Sequence, residues 1–170
     1  MVGDLVRRGV RAMEAFGRTA EVKELGDWTS QLSDLKPSVR AWIWGPYGKF
    51  SDYLYEHPEQ ESVFIAGGIG ITPFLSILED ENFLHRKRGK SYLFYSVLNK
   101  DEAYYHDEIT KLNLQEDKVS YHHSFSDEDG FLTAEIISEQ ANGFENKNFF
   151  ICGPKPMMDS LKEQFIEVGV

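Results

Sequence analysis

The sequence predicts an α/β fold: a five-stranded parallel sheet with helices on both faces, preceded by the end of a β-rich segment. Three observations predict it. From Ser62 to Glu167, short apolar runs alternate with amphipathic stretches, and such alternation implies right-handed crossovers between parallel strands. The runs Val63-Phe64-Ile65-Ala66 and Phe149-Phe150-Ile151-Cys152 are apolar throughout, which suits strands covered on both faces. The first run passes straight into a glycine-rich turn and then into a helical pattern.

The elements follow in order. Residues 1–20 are arginine-rich, and Leu5, Val6, Val10, Met13 and Phe16 fit one face of an amphipathic helix, either an unrelated leader or a docking helix. Glu21–Leu25 alternates as a strand does, and Asp27 or Thr29 can cap a short helix through Leu35. Val39–Trp44 reads as a strand that ends in the turn Gly45-Pro46-Tyr47-Gly48. His57–Glu61 is a linker by composition, so residues 21–56 form one region and 57–170 another. Strands are expected over Ser62–Ala66, Ser91–Val97, Val119–Phe125 and Asn148–Cys152. Helices are expected over Pro73–Leu84, with Phe74, Ile77, Leu78 and Leu84 on one side, and over Glu102–Leu112 and Thr133–Gln140. The closing helix, Lys155–Val168, carries Met158, Leu161, Phe165 and Val168 at helical spacing.

Bulk properties exclude several functions. The 170 residues suffice for one domain and a fragment of another, and 41% hydrophobic content argues for a packed core. A net charge of −10 repels nucleic acid and anionic lipid. The single cysteine, Cys152, makes no internal disulfide, thiolate zinc site or iron–sulfur cluster, and fits a reducing, cytoplasmic compartment. No apolar run approaches the roughly 20 residues of a membrane helix, and the N-terminus lacks the apolar core of a secretory signal.

Two loops carry the chemistry. In Gly67-Gly68-Ile69-Gly70-Ile71-Thr72-Pro73, glycines permit a tight turn and close approach of backbone to a ligand. The helix that follows offers free N–H groups to a diphosphate, with Thr72 at the N-cap and Pro73 at the first helical position. Pro73 replaces the third glycine of the G-x-G-x-x-G dinucleotide fingerprint. The second loop is Cys152-Gly153-Pro154-Lys155-Pro156-Met157, at the end of the last strand. Ligands of open parallel sheets collect at the carboxyl ends of strands, so both loops can close around one dinucleotide. Cys152 has no nearby histidine in sequence to activate it as a nucleophile.

Other segments read either way. Gly45-Pro46-Tyr47-Gly48 is a turn with or without a ligand, and the start of a helix at Gly26-Asp27-Trp28-Thr29-Ser30 can be plain capping or a phosphate site. His122 and His123 are neighbours on a strand and face opposite sides, so they do not chelate one metal, and no metal site is expected. His106 and Asp107 read as a solvated helix flank, and Asp127-Glu128-Asp129 as a solvated turn rather than a calcium loop.

Five segments in order, VKELGDWTSQL, WGPYGKF, FIAGGIGITPFLSIL, YSVLNKDEAYYHDEI and FICGPKPMMDSLKEQF, resemble the ferredoxin–NADP reductase superfamily over residues 21–170. The Gly-Asp-Trp-Thr stretch is most similar to the dehydrogenase domains of ferric reductases and NADPH oxidases. The resemblance implies a Rossmann-like NAD(P)-binding domain over 57–170, preceded by a remnant of a flavin-binding β-barrel over 21–56. It implies an NAD(P)H:flavin oxidoreductase that passes hydride from NAD(P)H to FAD and electrons onward to a metal, a haem subunit in a membrane or another acceptor, placed at the cytoplasmic face.

By the same resemblance, Gly67, Gly68, Gly70, Thr72 and Pro73 meet the nucleotide diphosphate. Cys152, the candidate catalytic residue, lies by the nicotinamide, with Gly153, Pro154 and Met157 shaping its loop. Thr29, Gly45 and Tyr47 belong to the flavin side. Ser96, Asn99 and Lys100 lie where adenosine is read; Lys100 suits a 2′-phosphate and Asp101 a free ribose, which leaves NADPH and NADH both open. The family's Arg-x-Tyr-Ser/Thr flavin motif has no match in residues 1–20, and the chain stops at Val170 where the family usually continues. The expectation is therefore that this chain alone holds FAD weakly or not at all and is incomplete as an enzyme. The alternative is a nucleotide-binding module without turnover. The related electron-transfer subunit of pyrimidine synthesis uses a cysteine-ligated cluster, against which the single cysteine argues.

Overall fold

The computed structural model describes residues 10–15, 18–24, 26–36, 39–40, 49–86, 88–115 and 118–170. The chain divides into two compact units, residues 1–48 and 49–170.

In the first unit, β1 (Val10–Ala15) and β2 (Arg18–Lys23) pair antiparallel, with Val10 opposite Lys23 and Ala15 opposite Arg18. This hairpin replaces the amphipathic helix expected for the leader, whose residues 1–9, 16 and 17 lie outside the described residues. Six-residue stretches satisfy a period of 2 as readily as one of 3.6, and a pairing partner decides between them. Helix α1 (Asp27–Ser30) follows and runs into a 3₁₀ turn, Gln31–Asp34. Gly26 occupies the N-cap, so neither Asp27 nor Thr29 does. Of the strand expected over Val39–Trp44, Val39 and Arg40 are not in a strand, and the remainder lies outside the described residues.

The second unit contains α2 (Asp52–Glu56), β3 (Glu61–Gly67), α3 (Thr72–Leu78), α4 (Glu81–Arg86), β4 (Ser91–Val97), α5 (His106–Gln115), β5 (Val119–Phe125), α6 (Ala134–Gln140), β6 (Lys147–Cys152) and α7 (Lys155–Glu167). It begins ahead of the expected boundary at residue 57, because Leu54 is buried in its core. The Tyr55 hydroxyl also donates to the Asp80 carboxylate at 2.5 Å. The helix expected over Pro73–Leu84 is two helices, broken at Glu79-Asp80, where that same tyrosine holds Asp80. Thr133 caps α6 as its residue type predicts, accepting from the Ile136 N–H at 3.3 Å.

The strands form one parallel sheet in the order β5-β4-β3-β6. Among the described residues it has four strands, one fewer than expected, since the stretch between β5 and β6 is taken by α6 and a turn at Gly143. Side chains alternate between faces. Phe64, Ala66, Leu93, Tyr95 and Val97 pack with Phe74, Leu78 and Ile109 from α3 and α5. Val63, Ile65, Tyr92 and Phe94 pack with Ile137, Leu161 and Phe165 from α6 and α7. Each of the large aliphatic and phenylalanine side chains among them contributes about 1.5–3 kcal/mol, and burial of β3 on both faces explains why its run is apolar throughout.

The first strand of the unit, β3, is central, with β4 on one side and β6 on the other. Between β3 and β6 the order of the strands reverses, the position at whose carboxyl ends open α/β sheets bind their ligands.

Candidate functional site

Both loops singled out in the sequence leave the sheet at this reversal. Ala66 of β3 pairs with Cys152 of β6, and Gly67 pairs with Ser96 of β4. The chain therefore exits β3 and β6 side by side at one level.

The glycines hold the two loops together. A Cβ on Gly70 would overlap the Cys152 carbonyl and lie 2.8 Å from the Gly153 nitrogen. One on Gly153 would lie 2.9 Å from the Gly67 nitrogen, and one on Gly67 would lie 2.7 Å from both the Met157 Sδ and the Pro154 Cδ. Gly67, Gly70 and Gly153 are glycines because the two loops leave no space for a side chain. Gly68 differs: its φ of +54° is in the left-handed region, and open space surrounds the position a Cβ would take. Gly68 is thus the loop glycine beside which a ligand has room.

Thr72 and Pro73 sit one position deeper than expected. A 3₁₀ turn over Gly68–Ile71 precedes α3, so Ile71 takes the N-cap and Thr72 opens the helix. The Thr72 hydroxyl donates to the Ile69 carbonyl at 3.2 Å instead of accepting from the helix. Cys152 is a free, half-buried thiol, and burial pushes its pKa up. It stays protonated near neutral pH, which fits a shaping role and not a nucleophilic one.

The remaining predicted residues fall into two groups. Ser96 is partly buried near the end of β4, paired with Gly67 and Ser124. Asn99 follows, and its Oδ1 is buried with no hydrogen-bond partner; an unpaired acceptor of this kind costs about 1–3 kcal/mol until a donor meets it. Lys100 is exposed on a 3₁₀ turn with Asp101 and Glu102. In the first unit, the Thr29 hydroxyl accepts from the Gly26 N–H and donates to the Gly26 carbonyl, both at 3.0 Å, so it is engaged in closing its own helix. Gly45 and Tyr47 lie outside the described residues.

Sequence reasoning missed one part of the site. The turn after β5 is tied to the loop after β4: the Ser126 N–H donates to the Val97 carbonyl at 2.9 Å, and the Asp127 N–H to the Leu98 carbonyl at 3.1 Å. Asp127, Glu128 and Asp129 therefore belong to a turn held against the loop that follows β4. Only the parallel pairing of β4 with β5 reveals this, since 26 residues separate Asp101 from Asp127. His106 is not a solvated flank either: its Nδ1 is 3.0 Å from the Tyr121 hydroxyl, and its ring meets His123 edge-on at 4.8 Å. His122 faces the other side, stacked on Phe94.

Nucleotide chemistry fits these residues: a glycine turn with open space at Gly68, whose N–H groups suit a diphosphate, and two loops joined at the reversal of strand order.

Comparison with known proteins agrees. A family described as the oxidoreductase NAD-binding domain matches residues 64–163. A component of the Na(+)-translocating NADH-quinone reductase of Pseudomonas paraeruginosa is 27% identical over 157 residues, which cover 85% of this chain and 38% of that protein. The electron transfer subunit of dihydroorotate dehydrogenase B (NAD(+)) of Fusobacterium nucleatum is 31% identical over 147 residues, or 85% of this chain and 54% of that protein. The cysteine argument against that subunit weighs only the residues in hand, and the chain spans about half the length of this relative. Among solved structures, the flavohemoglobin of Malassezia yamatoensis with bound FAD and heme has a TM-score of 0.69 at 19% identity, over 95% of this chain and 43% of that one. A ferredoxin NADP+ reductase from Neisseria gonorrhoeae with bound FAD and NADP has a TM-score of 0.64 at 18% identity, over 96% and 80%. These two structures establish the likeness of fold.

Proposed function

The chain belongs to the oxidoreductase NAD-binding domain family of the ferredoxin–NADP reductase superfamily, and from that premise we propose that it is the nucleotide-binding part of a flavin-dependent electron-transfer enzyme. The observation that carries the reading is the joining of the Gly67–Gly70 and Cys152–Pro154 loops, backbone to backbone, at the reversal of strand order. When bound, NAD(P)H would supply a hydride, and a flavin would accept it and pass the electrons on singly.

The chain's own residues bind and orient. The turn at Gly68 offers backbone N–H groups to the diphosphate, with Gly70 and Thr72 fixing the shape of that turn. Gly153 and Pro154 set the path of the second loop, and Met157 packs beneath Gly67 and Gly153. Cys152 would lie beside the nicotinamide, where its neutral thiol puts no negative charge next to the ring. Ser96, Asn99 and Lys100 receive the adenosine end. Thr29, Gly45 and Tyr47 serve the flavin side. The electrons go to a metal centre, a haem subunit or a partner protein. Among the described residues no helix is long and apolar enough to cross a membrane.

The test is reduction of a one-electron dye by NAD(P)H with the chain and added FAD. Turnover that needs both cofactors, and that fails in Gly70→Ala, is the expected result. Nucleotide binding without any turnover would make the chain a binding module instead, and stoichiometric FAD in the purified chain would overturn the weak-flavin expectation.

A further inference from the structure

Building on the nucleotide reading above, we infer that Met157 is an oxidation site, and that conversion of its thioether to a sulfoxide loosens the grip of the two loops on nucleotide. Met157 stands in the first turn of α7, just after the Cys-Gly-Pro loop. Its Sδ and Cε lie 2.7 and 2.9 Å from the place a Gly67 Cβ would take, and its Cε lies 2.7 Å from the place of a Gly153 Cβ. The same side chain packs against the apolar cluster that includes Val63, Ile65 and Leu161. One thioether therefore joins the glycine loop, the Cys-Gly-Pro loop and the core. Met157 is nevertheless only partly buried, which leaves it open to a small oxidant.

The step is an oxygen transfer. Hydrogen peroxide gives one oxygen to the sulfur: the O–O bond breaks, a sulfur–oxygen bond forms, and water leaves. The sulfur is oxidised and the peroxide reduced. The product is polar and chiral where the thioether was apolar and flexible. A thioether can shift against glycine backbone and remain apolar, whereas a sulfoxide carries its dipole wherever it turns. Its oxygen has no space beside Gly67 and Gly153, because sulfur and methyl already fill the places a Cβ would need. Turned out to water instead, the side chain leaves both loops without the atoms that pack them. In either arrangement Gly67 and Gly153 lose a common support. Met158 provides the contrast within the same turn. It too is partly buried, but it is not among the atoms nearest to Gly67, Gly70 or Gly153.

Treatment of the full chain with hydrogen peroxide tests this, followed by a thiol reductant that returns any sulfenic acid at Cys152 to the thiol and leaves sulfoxides in place. Peptide mass spectrometry then reports the sulfoxide fraction at Met157 and at Met158 separately, and calorimetry reports the affinity for NADH. Affinity should fall about tenfold or more, in step with oxidation of Met157 and not of Met158. Methionine sulfoxide reductases should restore it, a reversal that requires no variant to fold. Met157→Leu, whatever its starting affinity, should no longer respond to peroxide. The urea midpoint should also fall on oxidation, with no nucleotide present. Unchanged affinity in chain oxidised at Met157, a Met157 that stays unoxidised while Met158 reacts, or an equal response in Met157→Leu overturns the inference. Failure of the untreated chain to bind NADH or NADPH overturns the underlying nucleotide reading. The urea midpoint then still decides the inference about the loops, which an unchanged midpoint overturns, so the two failures are told apart.

Discussion

At the scale of single residues, the loop glycines divide by cause. The sequence offered the same two reasons for all of them, a tight turn and closeness to a ligand. In the structure Gly70 faces the Cys152 carbonyl and Gly67 faces Met157 and Pro154, so both answer to the second loop. A run of glycines looks the same whether ligand or protein fills the space, and only the fold tells these apart. Gly70→Ala is predicted to cost about 1–3 kcal/mol, because rigid backbone must shift to admit the methyl group. Gly67→Ala should cost less, since the flexible Met157 thioether can swing aside. Urea denaturation of both variants ranks them, and a larger loss for Gly67→Ala would contradict the joined-loop geometry. Cys152 gives a second prediction. Its raised pKa keeps it a thiol, so alkylation by iodoacetamide at about pH 8 should run well below the rate of a free cysteine peptide. Bound nucleotide should slow it further. Mass spectrometry of timed samples measures both rates, and fast alkylation of the unliganded chain would remove the neutral-thiol role.

At the scale of elements, the four strands of the sheet were legible from apolar runs and alternation, whereas the hairpin strand β1 and the helix ends were not. Pro73–Leu84 keeps helical periodicity across a break that depends on Tyr55, eighteen residues before Pro73, and no local signal contains that hydrogen bond. The edge strand β5 shows the converse. Its alternation correctly placed His122 and His123 on opposite faces, yet what each face meets came only from packing. His122 stacks on Phe94 at 4.9 Å and its Nε2 is 3.1 Å from the Ser120 hydroxyl. Burial, then Lys90 and His123, lower its pKa. The sign of the consequence follows. Above the unfolded value of about 6.5 both states hold a neutral imidazole, and nothing is lost. Below it the unfolded chain binds a proton that the native stack resists, so stability falls with pH until the folded histidine also titrates. The urea midpoint should drop between about pH 7.5 and 5.5, and the drop should be smaller in His122→Phe, which keeps an aromatic ring on Phe94. An equal drop in that variant would assign the pH dependence to other groups.

At the scale of the whole molecule, the fold class was legible and its boundary was not. Strand–helix alternation is written in hydrophobic periods, so it survives in a bare sequence. The linker at His57–Glu61 was inferred from composition, and composition does not register that Phe50, Leu54 and Tyr55 are spent on the second unit. Phe50 meets Phe74 at 5.5 Å and Phe150 at 5.8 Å between ring centres, Leu54 is 2% exposed, and Tyr55 packs on Phe83 while holding Asp80. These contacts lie beneath α3, the helix that carries the end of the glycine loop. Trimming is therefore predicted to separate two outcomes. A chain of residues 49–170 should unfold cooperatively and keep its nucleotide site. A chain of residues 57–170 strips Leu54 from the core and removes the partner of Asp80, and should lose roughly 3–5 kcal/mol, since a buried leucine truncation alone costs about 2–5. Because single domains hold only about 5–15 kcal/mol in all, the shorter chain should also bind nucleotide less well, with α3 no longer supported from below. Urea denaturation followed by circular dichroism, paired with NADH titration of each chain, decides the matter. Equal stability and affinity for the two would return the boundary to residue 57 and make the aromatic cluster around Phe50 incidental to the site.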